Sequence, residues 1–219
     1  MRSQNVASEA IKLLNANYEE LTRIFSAVPQ KKVILRFLSP DEFRRATGAP
    51  AWTSAMYYRG EISIPMQNDR SVQMEQLKRS LRHEYVHAIV AELSGNRCPA
   101  WLDEGIAQIL EGQANPILGP ALRQWLTYDN PIPLAWLENG FTTLDKSVVP
   151  PAYAQSLFAT RTLINSNGFA SIRNYLSLLQ FGASSEEAFS EAFGSSLNEF
   201  ESQLQQQLRR WAASTDAKF

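Results

Sequence analysis

Residues 83–87 read HEYVH, and they lie inside an apolar-periodic run from Gln73 to Leu93. The chain has two histidines, and both are in this stretch, four positions apart. On a helix that spacing puts the two rings on one face, so His83 and His87 can aim at one point. Two imidazoles held this way are the start of a metal site. The rest of the run has the helical period: Leu77, Leu81, Ile89, Val90 and Leu93 mark a buried side, and Gly95 and Asn96 are stop signals.

A catalytic zinc normally takes three protein ligands and keeps one position for water. With no histidine left, the third ligand is a carboxylate or the single cysteine, Cys98. The next helical stretch, PAWLDEGIAQ at 99–108, offers Asp103 and Glu104. Neighbours on a helix point about 100° apart, so one of the two faces a metal. Glu104 is the better candidate: Gly105 leaves open space beside it, and Trp101, Leu102 and Ile106 can pack into the core. Gln108 and Glu111 follow one and two turns later on the same face, as candidates for orienting a ligand histidine.

The bulk composition narrows the field. The chain has 219 residues, 44% hydrophobic and 20% charged, with a formal net charge of −1. That balance is ordinary for a globular protein and argues against a nucleic-acid partner or an anionic-membrane patch. One cysteine excludes an internal disulfide and a cysteine-rich structural zinc site. No apolar run reaches the roughly 18 residues that a membrane span needs. The opening MRSQNVASEAIKLL lacks the apolar core of an export signal. Nothing in the sequence assigns a compartment or an oligomeric state.

The remaining elements follow from local signals. Ile11, Leu14, Tyr18, Leu21, Ile24 and Phe25 predict an amphipathic helix over 6–27. KKVILRFLS at 31–39 reads as a strand. Ser39, Pro40, Asp41 and Glu42 predict the start of a short helix. TSAMYYRGEISIP at 53–65 reads as a hairpin about Arg59-Gly60. Helices are expected at 100–112, 152–165, 169–180, 185–193 and 197–212, with proline-rich breaks at 116–120 and 131–133. Ser196 and Glu199 form a capping box for the last helix. Strands early and helices late predict an α+β fold. A small N-terminal mixed sheet should pack on the HEYVH helix, followed by a mainly helical C-terminal half.

HEYVH followed after a short loop by PAWLDEGIAQ resembles the gluzincin metallopeptidases. The closer likeness is to their compact peptidase MA-like group, with its HExxH helix and "P-x-W-L-x-E-G-x-A" helix. The hairpin MYYRGEISIP is similar to the edge strand of that family, and AYAQSLFATRTLI and EEAFSEAFGSSLNEFE to its C-terminal helices. The resemblance covers roughly residues 30–205 and implies a zincin-like fold. It implies one Zn2+ ion held by His83, His87 and Glu104, Glu84 as general base, and a peptide or protein substrate. One compact catalytic domain is expected over 1–219: an N-terminal helix (1–28), the sheet with both motif helices (29–113) and a helical subdomain (114–219).

Two departures bear on the activity. Glu104 follows His87 by 17 positions, fewer than in the thermolysin branch, so the loop between the helices is tight. The chain lacks the G-x-M-E-N strand with which the aminopeptidase branch grips a free N-terminus; RGEIS stands there, so an endopeptidase is expected. Related enzymes use a tyrosine or histidine to stabilise the oxyanion, and Tyr153, opening the helix after Pro150-Pro151, is the candidate. Strand 61–65, read as an edge, would accept an extended peptide by strand addition. The alternatives are a zincin-fold scaffold without turnover and a zinc hydrolase of non-peptide amides.

Overall fold

The computed structural model describes residues 3–27, 29–49, 53–66, 74–112, 115–214 and 219; Gln73, the expected start of the histidine helix, lies outside them. The backbone divides into two units, Met1–Glu92 with Leu110–Gly112, and Leu93–Ile109 with Gln113–Phe219.

The first unit opens with helix α1 (Ser3–Phe25), then strand β1 (Ile34–Leu38), helix α2 (Pro40–Thr47), strands β2 (Met56–Tyr58) and β3 (Glu61–Pro65), and helix α3 (Met74–Leu93). α2 starts where its cap chemistry says. The Ser39 side chain accepts from the Glu42 N–H, the Glu42 carboxylate accepts from the Ser39 N–H, and Gly48 ends the helix in the left-handed conformation. The hairpin turn also follows its sequence. Arg59 and Gly60 both have positive φ, 49° and 88°, as a two-residue turn that matches strand twist requires.

The three strands form one mixed sheet in the order β1-β3-β2, with β1 parallel and β2 antiparallel to β3. This corrects the expectation that 61–65 is an edge. β3 is central and paired on both sides, and β2 is the edge beyond it. The sequence around Ile34 has no local mark of its pairing with Glu61, because a parallel partner is reached only through a long crossover. Ile62 and Ile64 bury one face of β3 and Ser63 is buried on the other. The buried stripe of α1 is also displaced from the expected one. Val6, Ala10, Asn17, Leu21 and Phe25 are buried, whereas Ile11 and Tyr18 are exposed.

The second unit is helical: α4 (Ala100–Leu110), α5 (Leu118–Tyr128), a 3-10 turn at Leu134–Leu137, α6 (Val149–Gln180), α7 (Ser185–Phe193) and α8 (Leu197–Ala213). α5 and the 3-10 turn occupy a region that reads as proline-rich breaks. Pro120 is tolerated as the third residue of α5, in the first turn, where backbone N–H groups have no intrahelical acceptor. The helices expected at 152–165 and 169–180 are continuous except at Gly168, whose φ of 76° and ψ of 164° break the path. α7 and α8 both begin with capping boxes, Ser184 with Glu187 and Ser196 with Glu199. Trp101, Phe189, Phe193, Phe200 and Tyr175 form the aromatic core of this unit, with Trp101 stacked on Phe200 at 6.3 Å. The chain is therefore α+β, a small mixed sheet followed by a mainly helical part. No helix among the described residues is long and apolar enough to cross a membrane.

Candidate metal centre

Over residues 84–90 α3 is buried almost all round: Glu84, Tyr85, Val86, Ala88, Ile89 and Val90 lie inside. His83 and His87 are the partly open positions of this stretch. The helix therefore needs no polar outer face here, and its one accessible stripe carries the two imidazoles. Their Nε2 atoms are 3.1 Å apart and the rings meet edge to face.

The other nitrogen of His83 is engaged. Its Nδ1 lies 2.9 Å from Oε2 of Glu111, a carboxylate that can only accept when ionised. Oε1 of the same carboxylate takes a hydrogen bond of 2.5 Å from Arg79. Arg79 stands one turn before His83 on α3. Arg82, next to His83, donates from Nε to the Leu110 carbonyl and from both terminal nitrogens to Glu20, at 2.7 and 2.8 Å. The two arginines thus tie the segment Leu110–Gly112 to α3, and that tie delivers Glu111 to His83. The Arg82 guanidinium also holds the Glu20 carboxyl below its ordinary value. Glu111 is where the sequence reading expected a histidine-orienting group. Arg79 was missed, although its i, i+4 spacing from His83 was visible.

Glu84 points to the sheet. Its Oε2 accepts a hydrogen bond of 2.6 Å from the backbone N–H of Tyr57 on β2. Ser54 and Ser80 share a second bond between this sheet region and α3, at 2.9 Å. These two bonds tie the sheet region to α3 at the motif itself.

In the second unit, Glu104 is buried on α4. Gln108, one turn later, donates from Nε2 to Glu104 Oε1 at 2.8 Å and to the Tyr153 carbonyl at 3.1 Å. So Gln108 orients the carboxylate of Glu104, where the sequence reading had it as a candidate for orienting a histidine. Tyr153 is half-buried near the start of α6, with its ring stacked on Phe141 at 4.7 Å. Gly105 does not leave open space, as expected from the sequence. A Cβ there would lie 2.0 Å from Thr160 Oγ1 and 2.6 Å from the Ser156 carbonyl, so the glycine is what lets α4 and α6 touch. Cys98 was the other candidate third ligand. Desolvation, with the Asp103 charge adding to it, pushes its thiol well above the ordinary value.

Among the described residues, His83, His87 and Glu104 make up a group that could hold a metal ion. Each offers one atom of a kind that ligates metals, two imidazole nitrogens in the first unit and a carboxylate oxygen in the second.

A family model described as the Peptidase MA superfamily matches residues 47–210, about three quarters of the chain. No curated protein and no solved structure matches it.

Proposed function

The chain belongs to the peptidase MA superfamily, and from that premise we propose that it is a zinc-dependent endopeptidase that hydrolyses peptide or protein substrates. What carries the reading is the pair of Nε2 atoms 3.1 Å apart, with Nδ1 of His83 already turned to Glu111. A histidine whose Nδ1–H is held by a carboxylate keeps Nε2 for a metal and becomes a stronger ligand. Two imidazoles and one carboxylate are a donor set that catalytic zinc uses. When bound, the zinc ion would supply Lewis acidity, polarising the peptide carbonyl and lowering the pKa of water towards about 7.

His83, His87 and Glu104 are the proposed ligands. Glu84 is the proposed general base. It takes the proton of the attacking water and returns it to the departing amine, so the peptide C–N bond breaks to a carboxylic acid and an amine. Tyr153 is the proposed donor to the oxyanion formed during the attack. An endopeptidase is favoured because no group corresponding to the N-terminus-gripping motif is present in the sequence.

The test is metal analysis together with cleavage of unfolded casein and of a broad peptide library. The wild-type protein should carry about one zinc and cut both, and a chelator should stop it. Glu84→Gln should keep the zinc and lose about 10²–10⁴-fold in turnover. Normal cleavage by that variant, or a zinc-loaded wild type that cuts nothing in the library, overturns the reading.

A further inference from the structure

The Glu84 carboxylate is held from outside its own helix by a main-chain donor of strand β2. We propose that the backbone N–H of Tyr57 is a positioning group that aims the base, a role that rests on the endopeptidase reading above. The register explains why this N–H is available. Tyr58 faces Glu61 across the two-residue turn, and Tyr57 faces Ile62. The pair that closes such a turn exchanges hydrogen bonds, so the next pair turns its N–H groups away from each other. The Tyr57 N–H therefore leaves the sheet at the β2 edge, and it meets Glu84 Oε2 at 2.6 Å.

Four physical features make this more than a passing contact. Glu84 is buried, so an unpartnered carboxylate there would be costly. A bond from an N–H to an ionised acceptor is shorter and roughly twice as strong as a neutral one. It engages Oε2, which restrains rotation of the carboxylate and leaves Oε1 as the oxygen that would meet the water. A main-chain donor in a paired hairpin has no rotamer to lose, so it holds the carboxylate at little entropic cost. The strand bonded to α3 thus does a second task besides completing the sheet: it sets the direction of the base.

Proline at 57 is the direct test. It removes this N–H, and a proline is tolerated on an edge strand where the N–H points out of the ladder. The matched variant is Tyr57→Ala, which loses the same ring and keeps the N–H. With casein or a library-derived peptide as substrate, Tyr57→Pro should have a kcat at least about tenfold below that of Tyr57→Ala, with KM and zinc content alike in the two. Independently of turnover, the Tyr57 amide proton in 1H–15N spectra of the wild type should stand far downfield, and Glu84→Ala should move it upfield. Equal kcat in the two variants, or a Tyr57 amide that ignores Glu84→Ala, overturns the inference while an active wild type leaves the peptidase reading intact. A zinc-loaded wild type that cleaves nothing removes both. Should Tyr57→Pro not fold, the amide shift alone decides.

Discussion

The two units hold the side chains proposed for the site by different physics. In the first, His83 and Glu84 are aimed by polar bonds from elsewhere: Glu111 backed by Arg79 for the imidazole, and the Tyr57 N–H for the carboxylate. In the second, Glu104 sits on a helix most of whose side chains are buried. Trp101, Leu102, Ile106 and Ala107 are all at most 1% exposed, and the Gln108 amide donates to the carboxylate. Polar aiming depends on a few directional bonds, whereas close packing depends on volume everywhere around the site. Substitutions in the first unit should therefore change metal binding and turnover before stability, and those in the second should change stability first.

The strongest test of that contrast is Gly105→Ala. The added methyl meets the Thr160 hydroxyl and the Ser156 carbonyl, and the carbonyl belongs to helix backbone that cannot swing aside. Overpacking of this kind should cost about 3 kcal/mol, or roughly 10 °C in melting temperature. Thr160→Ala in the same chain should recover only part of that, because the carbonyl remains. A melting temperature unchanged by Gly105→Ala would show that α4 and α6 are not packed as tightly as described.

Glu111→Gln probes the polar side. It should lower zinc affinity about 10–100-fold, while the metal-free protein melts close to the wild type and well above Gly105→Ala. With two histidines in the chain, the ring tautomers can be followed by 15N NMR: the His83 Nδ1–H form should lose population in this variant. A large fall in melting temperature with unchanged zinc affinity would erase the distinction between the units.

The smallest effect concerns Glu20. Its pKa is lowered, first by the hydrogen bond from Arg82, so the ion pair stabilises the fold above the ordinary glutamate value of 4.5. That contribution is lost as pH falls through the lowered folded value. Glu20 is about half exposed, so the pair contributes at most about 1 kcal/mol. Denaturant midpoints of wild type and Glu20→Gln should differ at neutral pH and converge in acid. A difference that persists in acid would assign the stabilisation to something other than this charge.

Some of these features were readable residue by residue. Ser39 with Glu42 and Ser196 with Glu199 mark helix starts, Arg59-Gly60 marks a turn, and the spacing of His83 and His87 marks one helical face. Glu111 was readable as a candidate because its helical phase is a sequence property. Other features had no local sign. The Tyr57 N–H is a group that every non-proline residue carries, and nothing in its side chain announces an outward register. Gly105 read as open space because a missing side chain looks the same whether the gap is empty or filled by α6. α5 was hidden by Pro120, since a proline in a first turn and a proline that breaks a helix are the same letter.

By itself the sequence determined the short-range facts: where helices begin and end, which way the hairpin turns, and which side chains share a face. These depend on torsional preference and on groups a few residues apart, so they are encoded where they act. Only the tertiary structure decided that β3 lies between its two partners, that Arg79 and Arg82 bring Glu111 to His83, and that an edge amide meets Glu84. Apart from the β2–β3 hairpin, each of those joins groups at least 27 residues apart. Such pairings are selected by the burial and packing of a whole unit, a collective quantity that no short stretch of chain carries.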